Sequence, residues 1–185
     1  MKIVMKVSKV DEAGYEAALR GLSFNKKQEK HMGDVAYKLA GKGFGHDKFL
    51  ESIYVWLEVT APRYWWQEAD TYRMSTKQSE STMHTLISEI GTIDETAFEG
   101  DVSSQVIAEM TGALTIQDSI EQLVRVKQIL PESFLQRRMW CLNYKSLTNI
   151  LIQRRNHRLP HWQIFCKEIK NQVDHPELLP EVENA

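Results

Sequence analysis

The sequence predicts an α+β fold: a small antiparallel sheet packed with several helices. Three observations carry this. Residues 2–8 and 53–60 alternate apolar and polar side chains, the mark of half-buried strands. Much of the remaining chain repeats its apolar positions with a helical period. The order strand, helix, strand and then mostly helices leaves few strands, all available to one small sheet.

The elements follow in order. In the first strand Ile3, Met5 and Val7 oppose Lys2, Val4 and Lys6. Asp11 caps a short helix expected to reach Leu19, and Gly21–Asn25 reads as a loop. Glu29–Ala40 is helical, with Met32, Val35, Ala36 and Leu39 on one stripe and Gly41 ending it. Gly43–Asp47 is a loop carrying a helix cap. In the clearest strand Ile53, Val55, Leu57 and Val59 face one way, and Tyr54, Trp56, Glu58 and Thr60 the other. Pro62 suits the first turn of a following helix. Residues 75–82 lack an apolar period and read as a loop. Short helices are expected between 84 and 112, broken near Gly91 and Gly100. An amphipathic helix runs from Ile116 to Leu130, stopped by Pro131. The longest helix is expected from Glu132 to about His157, and a last one from Pro160 to about Val173. One domain over 1–175 and a flexible tail over 176–185 complete the expectation.

Bulk properties exclude several functions. A net charge of −2 gives no general attraction to nucleic acid or a membrane surface, so neither partner is expected. Cys141 and Cys166 are 25 positions apart with no Cys-x-x-Cys pair, which argues against a zinc site or disulfide framework. No metal is expected. Two reduced thiols, no apolar run of spanning length and no secretory leader pattern point to a cytoplasmic protein.

The densest feature is Arg63–Arg73, where two tryptophans, two tyrosines, two arginines and two acids occupy 11 positions. Aromatics buried beside charges are costly unless the polar groups find partners, so the cluster reads as a built site for a flat, charged ligand. On the expected long helix, Asn143, Leu147, Ile150, Arg154 and Arg158 share a face, and Lys145 and Asn149 share another. That pattern fits either a ligand-facing surface or a core face with solvated ends. The basic group Arg154, Arg155, His157, Arg158 and His161 either complements the helix dipole or forms a phosphate site. Ser81 and His46 have no nucleophile or metal partners in the sequence and read singly as loop residues.

In this order the pieces resemble the flavin-dependent thymidylate synthases. Gly45-His46-Asp47-Lys48-Phe49-Leu50-Glu51 resembles that family's Gly-His-Glu-x-x-x-Glu segment. The strand and Ala61-Pro62 lead into the aromatic helix as they do there. Leu130-Pro131, followed by Asn143-x-Lys145-Ser146-Leu147-x-Asn149-x4-Arg154, matches the family's Leu-Pro and Asn-x-Arg-Ser-Leu-x-Asn-x4-Arg segments without a gap. The likeness covers most of residues 1–170, and Tyr64-Trp65-Trp66 with Ser81–His84 is similar to phage or prophage variants.

The resemblance implies a homotetramer acting on or binding a pyrimidine nucleotide with FAD, and using NADPH and methylenetetrahydrofolate where the family chemistry is retained. It places FAD contacts at His46, Glu51, Arg73, Asn143, Lys145 and Asn149. It places nucleotide contacts at Glu68, Glu80, Ser81, Lys127, Arg154 and Arg158. The family's Arg-His-Arg signature reads Thr71-Tyr72-Arg73 here, Met83 stands for a nucleotide-binding arginine, and Lys127 and Lys145 stand for two others. Lysine keeps the charge but loses the bidentate fork. The expected outcome is a nucleotide-modifying flavoprotein with weak or absent conventional thymidylate synthesis, the alternative being a non-catalytic nucleotide-binding protein on the same fold.

Overall fold

The computed structural model describes residues 3–26, 30–80 and 95–182. Four strands, β1 (Lys6–Ala13), β2 (Tyr54–Pro62), β3 (Ser75–Ser79) and β4 (Leu135–Asn143), form one antiparallel sheet in the order β1-β2-β4-β3. Seven α-helices are described: α1 (Tyr15–Lys26), α2 (Met32–Ala40), α3 (Arg63–Ala69), α4 (Ser104–Ala113), α5 (Ser119–Ile129), α6 (Tyr144–Arg154) and α7 (Pro160–Gln172). The fold is therefore α+β with one small antiparallel sheet.

The chain divides into two compact units. One comprises Met1–Val4, Thr60–Thr71 and Gln78–Arg138 and is called the α3 unit below. The other comprises Met5–Val59, Tyr72–Lys77 and Met139–Ala185, the α6 unit.

In the α6 unit the clean alternation of β2 is realised: Val55, Leu57 and Val59 are buried, while Tyr54 and Glu58 are exposed. Trp140 and Leu142 of β4, Leu147, Ile150 and Leu151 of α6, and Trp162, Phe165 and Ile169 of α7 are also buried there. Trp140 stacks on Phe165 with ring centroids 5.4 Å apart, and Trp162 meets Phe165 edge-on at 5.8 Å. On α2 the buried stripe is Met32, Ala36 and Ala40, with Val35 and Leu39 half-buried beside it. The expected start at Glu29 lies outside the described residues.

Several boundaries differ from expectation. The first strand is Lys6–Ala13 rather than 2–8. It is a sheet edge on which only Val7 is buried, so its alternation is weak in the sequence. Gln172 covers that edge, accepting from Lys9 N at 2.8 Å and donating to Val7 O at 2.9 Å. Asp11 lies in this strand, and α1 starts after Gly14 and runs through the expected loop at 21–25. Gly14 is required there: its φ is +101°, and a Cβ would sit 2.0 Å from Ser52 O.

Ser75–Ser79, expected as a loop, is the edge strand β3. With most of its side chains exposed and pairing on one flank, it needs no apolar alternation. The expected long helix from 132 to 157 is two elements, β4 and α6. Asn143 is the break: its Oδ1 accepts from Ser146 N at 2.9 Å, capping α6. Trp140 and Leu142 then alternate on a strand instead of continuing the helical face.

In the α3 unit Phe98, Met110, Ala113, Val126 and Leu130 form a core cluster. Helix α4 is capped by Ser103, and α5 by Asp118, whose Oδ1 accepts from Ile120 N and Glu121 N. Trp65 and Trp66 of α3 are both fully buried, edge to face at 4.9 Å. In the α6 unit, within the segment expected to be a flexible tail, Pro176–Leu178 forms one 3₁₀ turn, and Leu178 and Leu179 are buried.

Candidate functional site

Helix α6 organises the candidate site. Its N-cap orients the first turn so that Lys145, Thr148, Asn149 and Ile152 line one cleft of about 690 Å³ in the α6 unit, together with Tyr37 of α2 and Asp47. The buried Asp47 carboxylate receives Lys145 Nζ through Oδ2. Its Oδ1 and the Thr148 hydroxyl are buried and have no hydrogen-bond partner among the described residues. Unsatisfied polar atoms beside a cleft are costly, and such atoms recur where a ligand or solvent completes the set. Arg155 also lines the cleft, where its Nη1 donates to Glu181 O at 2.7 Å.

A second cluster sits at the C-terminal end of α6. Arg154 Nε donates to Tyr72 Oη at 2.8 Å, and its Nη1 lies 2.8 Å from His157 Nε2. The guanidinium stands 4.7 Å from the Trp162 ring centroid and 5.7 Å from that of Tyr72. Tyr72 in turn donates to Gln153 Oε1 at 3.0 Å. Cation–π contact and a charge-assisted hydrogen bond hold one guanidinium orientation, while a planar fork remains the natural reader of a phosphate.

The other expected site residues are dispersed. His46 and Glu51 are exposed and line a separate cleft of about 710 Å³ with Leu22 and Phe24 of α1. Asn143 is committed to the α6 cap. Arg73 and Arg158 are exposed. Glu68, Glu80 and Lys127 belong to the α3 unit, where Glu68 O accepts from Thr71 Oγ1 and Glu80 pairs with Arg137 at 3.5 Å. Ser81 lies outside the described residues, as do Met83 and His84. Thus Lys145 and Asn149 share one cleft, His46 and Glu51 another, and Arg154 joins neither set.

The aromatic cluster at 63–73 splits. Trp65 and Trp66 are core, with Trp66 Nε1 donating to Gln136 O at 3.0 Å and the Arg138 guanidinium 4.4 Å over its ring. Tyr64 donates to the buried Glu99 carboxylate, and burial first, then that bond, pushes its phenol well above the usual range. From this cluster Tyr72 reaches Arg154 through its hydroxyl. Asp47, Thr148 and Trp162 were not singled out from the sequence. Asp47 carried a cap signal and a place in the family-like Gly-His segment but no assigned role, and nothing in the residue pattern marks Thr148 or Trp162, whose roles depend on how the elements pack.

The fold is similar to that of solved flavin-dependent thymidylate synthases. Superposed on a flavin-dependent thymidylate synthase ThyX from Helicobacter pylori complexed with FAD and dUMP, the chain gives a TM-score of 0.76 at 18% identity, covering 97% of this chain and 100% of that one. A second structure of Thymidylate Synthase X from that organism, also with FAD and dUMP, gives 0.73 at 18% identity over 95% and 97%. A UMP/dUMP methylase PolB from Streptomyces cacaoi bound with 5-Br UMP gives 0.65 at 16% over 92% and 89%. No protein-family model matches the sequence, and no curated protein is recognisably similar to it. The likeness is one of fold. Among the described residues no helix is long and apolar enough to cross a membrane, and no group of three or more His, Cys, Asp and Glu is placed to hold a metal ion.

Proposed function

We propose that this chain is a divergent, FAD-binding protein of the thymidylate synthase X type that binds a pyrimidine nucleotide. The observation that carries the reading is the fold likeness, which extends over nearly all of this chain and all of a protein crystallised with FAD and dUMP. Local chemistry supports it. The cleft beside α6 is lined by the Lys145 ammonium, the Asn149 amide and Thr148, whose buried hydroxyl has no partner among the described residues, a donor set that fits a polar cofactor of flavin type. Lys145, Thr148 and Asn149 would hold FAD there, and FAD when bound supplies the redox chemistry. Arg154 is the candidate nucleotide clamp, held in orientation by Tyr72 and Trp162. NADPH, methylenetetrahydrofolate, a homotetramer with sites shared between subunits, and a cytoplasmic setting belong to the same reading.

One observation favours binding without conventional turnover. Tyr72 stands where the resemblance expects a motif histidine, and its hydroxyl is committed to Arg154 and Gln153. A neutral phenol engaged in two bonds is a poor substitute for a titratable imidazole. Titration calorimetry with FAD, deoxyuridylate and deoxycytidylate tests the reading. Saturable binding of FAD and of one nucleotide supports it, and no binding of either contradicts it. A monomeric mass by light scattering would remove the shared-site component.

A further inference from the structure

We infer that Asp47 sets the affinity of the α6 cleft for an anionic ligand by holding Lys145 in an internal ion pair, which the ligand must break to recruit that ammonium. The inference rests on the reading of this cleft as the flavin site. Three observations support it. Asp47 occupies the N-cap of the 3₁₀ helix Lys48–Ser52, a position whose carboxylate normally accepts from the first-turn N–H groups, yet it makes no side-chain cap bond. The carboxylate instead turns to Lys145 through Oδ2 and leaves Oδ1 buried with no partner among the described residues. Lys48 N and Leu50 N already bond to Gly45 O and Asp47 O, so the Asp47 side chain is not held at its own helix and keeps an unsatisfied oxygen in the position it occupies.

The charges around the cleft make this pairing matter. Lys38, Lys145 and Arg155 line it together with Asp47, Glu177 and Glu181. Cations and carboxylates are equal in number, so the cleft presents no net positive charge to a diphosphate. Asp47 is buried whereas Lys145 is half-exposed, so the lysine is the mobile partner. Its flexible stem can swing to a ligand phosphate. Removing the negative charge at 47 releases Lys145 without disturbing it. The usual expectation that losing a buried ion pair weakens a site is reversed here for an anionic ligand.

The test is FAD binding followed by quenching of flavin fluorescence, on wild type and on Asp47→Asn, Asp47→Ser and Lys145→Met. Asp47→Ser retains capping ability and guards against a folding defect in the amide variant, and thermal melts check both. The expected result is FAD affinity raised about tenfold in Asp47→Asn and Asp47→Ser, the scale of one charge-assisted hydrogen bond. Lys145→Met should abolish the gain when combined with either, and added salt should weaken binding more steeply in the Asp47 variants than in wild type. Equal or weaker FAD affinity in both folded Asp47 variants, with wild type binding normally, overturns the inference and leaves the flavin reading standing. No FAD binding by wild type or any variant overturns both.

Discussion

The Tyr72 hydroxyl is shared between two neighbouring side chains of α6: it accepts from Arg154 Nε at 2.8 Å and donates to Gln153 Oε1 at 3.0 Å. Arg154 therefore enters any binding event already oriented, with the ordering of a long side chain built into the fold.

Tyr72→Phe keeps the ring but removes both hydrogen bonds. The expected loss of stability is about 1 kcal/mol, because the site is partly exposed and water replaces some of the bonding. Nucleotide affinity should fall with it, as Arg154 regains rotamer freedom. Urea melts and nucleotide titration check the two effects, and unchanged or tighter nucleotide binding would remove the positioning role of Tyr72.

Trp65 and Trp66 are both fully buried, so the two rings act as core rather than as the ligand-facing surface expected of the 63–73 cluster. Each substitution to Ala should cost roughly 3–5 kcal/mol from lost transfer energy and a residual cavity. Trp66→Ala should be the more severe, since it also removes the Arg138 contact and leaves Gln136 O without its indole donor. Chemical denaturation of the two variants gives the ranking. A loss below about 1 kcal/mol for either would contradict the packing described.

Burial pushes the Cys166 thiol up to about 12 from its ordinary value near 9, with Arg154 and Arg155 opposing weakly. Folding therefore favours the protonated thiol. That contribution is fully present below about pH 9 and is lost as pH rises through the range from about 9 to 12. Stability measured across this range should decline, and Cys166→Ala should decline less steeply. In the native protein at pH 8, thiol reagents should label half-buried Cys141 slowly and Cys166 only on unfolding. Rapid native labelling of Cys166 would show that its surroundings open.

Conventional synthase activity should be weak or absent. Thr71 and Met83 replace two arginines that the family resemblance expects, and Tyr72 is bonded to Arg154 and Gln153. Release of tritium from 5-tritiated deoxyuridylate, with FAD, NADPH and methylenetetrahydrofolate supplied, measures this directly. Turnover typical of enzymes, on the order of 1 per second or more, would contradict the expectation.

The sequence disclosed most where burial is one-sided. The β2 alternation and the α2 stripe were readable because each buries one face and exposes the other. The 75–79 and 135–143 strands were hidden for different reasons. The first is a polar edge, and the second adjoins a helix whose period begins at Asn143, a cap that reads equally as a helical position. The site was legible in part. Lys145 and Asn149, four apart on α6, line one cleft as the helical spacing predicts. The Asp47–Lys145 pair joins elements distant in sequence, and the packing of Trp162 on Arg154 depends on how the chain turns from α6 into α7, so no periodic pattern encodes either.

The central claim is that this fold retains a pyrimidine-nucleotide site clamped by Arg154. Its most direct test is titration calorimetry of deoxyuridylate and deoxycytidylate, with FAD present, into the wild-type protein and Arg154→Ala. The account predicts saturable binding of one nucleotide by wild type and its loss in Arg154→Ala, whose melting cooperativity stays intact. No binding of either nucleotide by wild type, or affinity unchanged in Arg154→Ala, would contradict it.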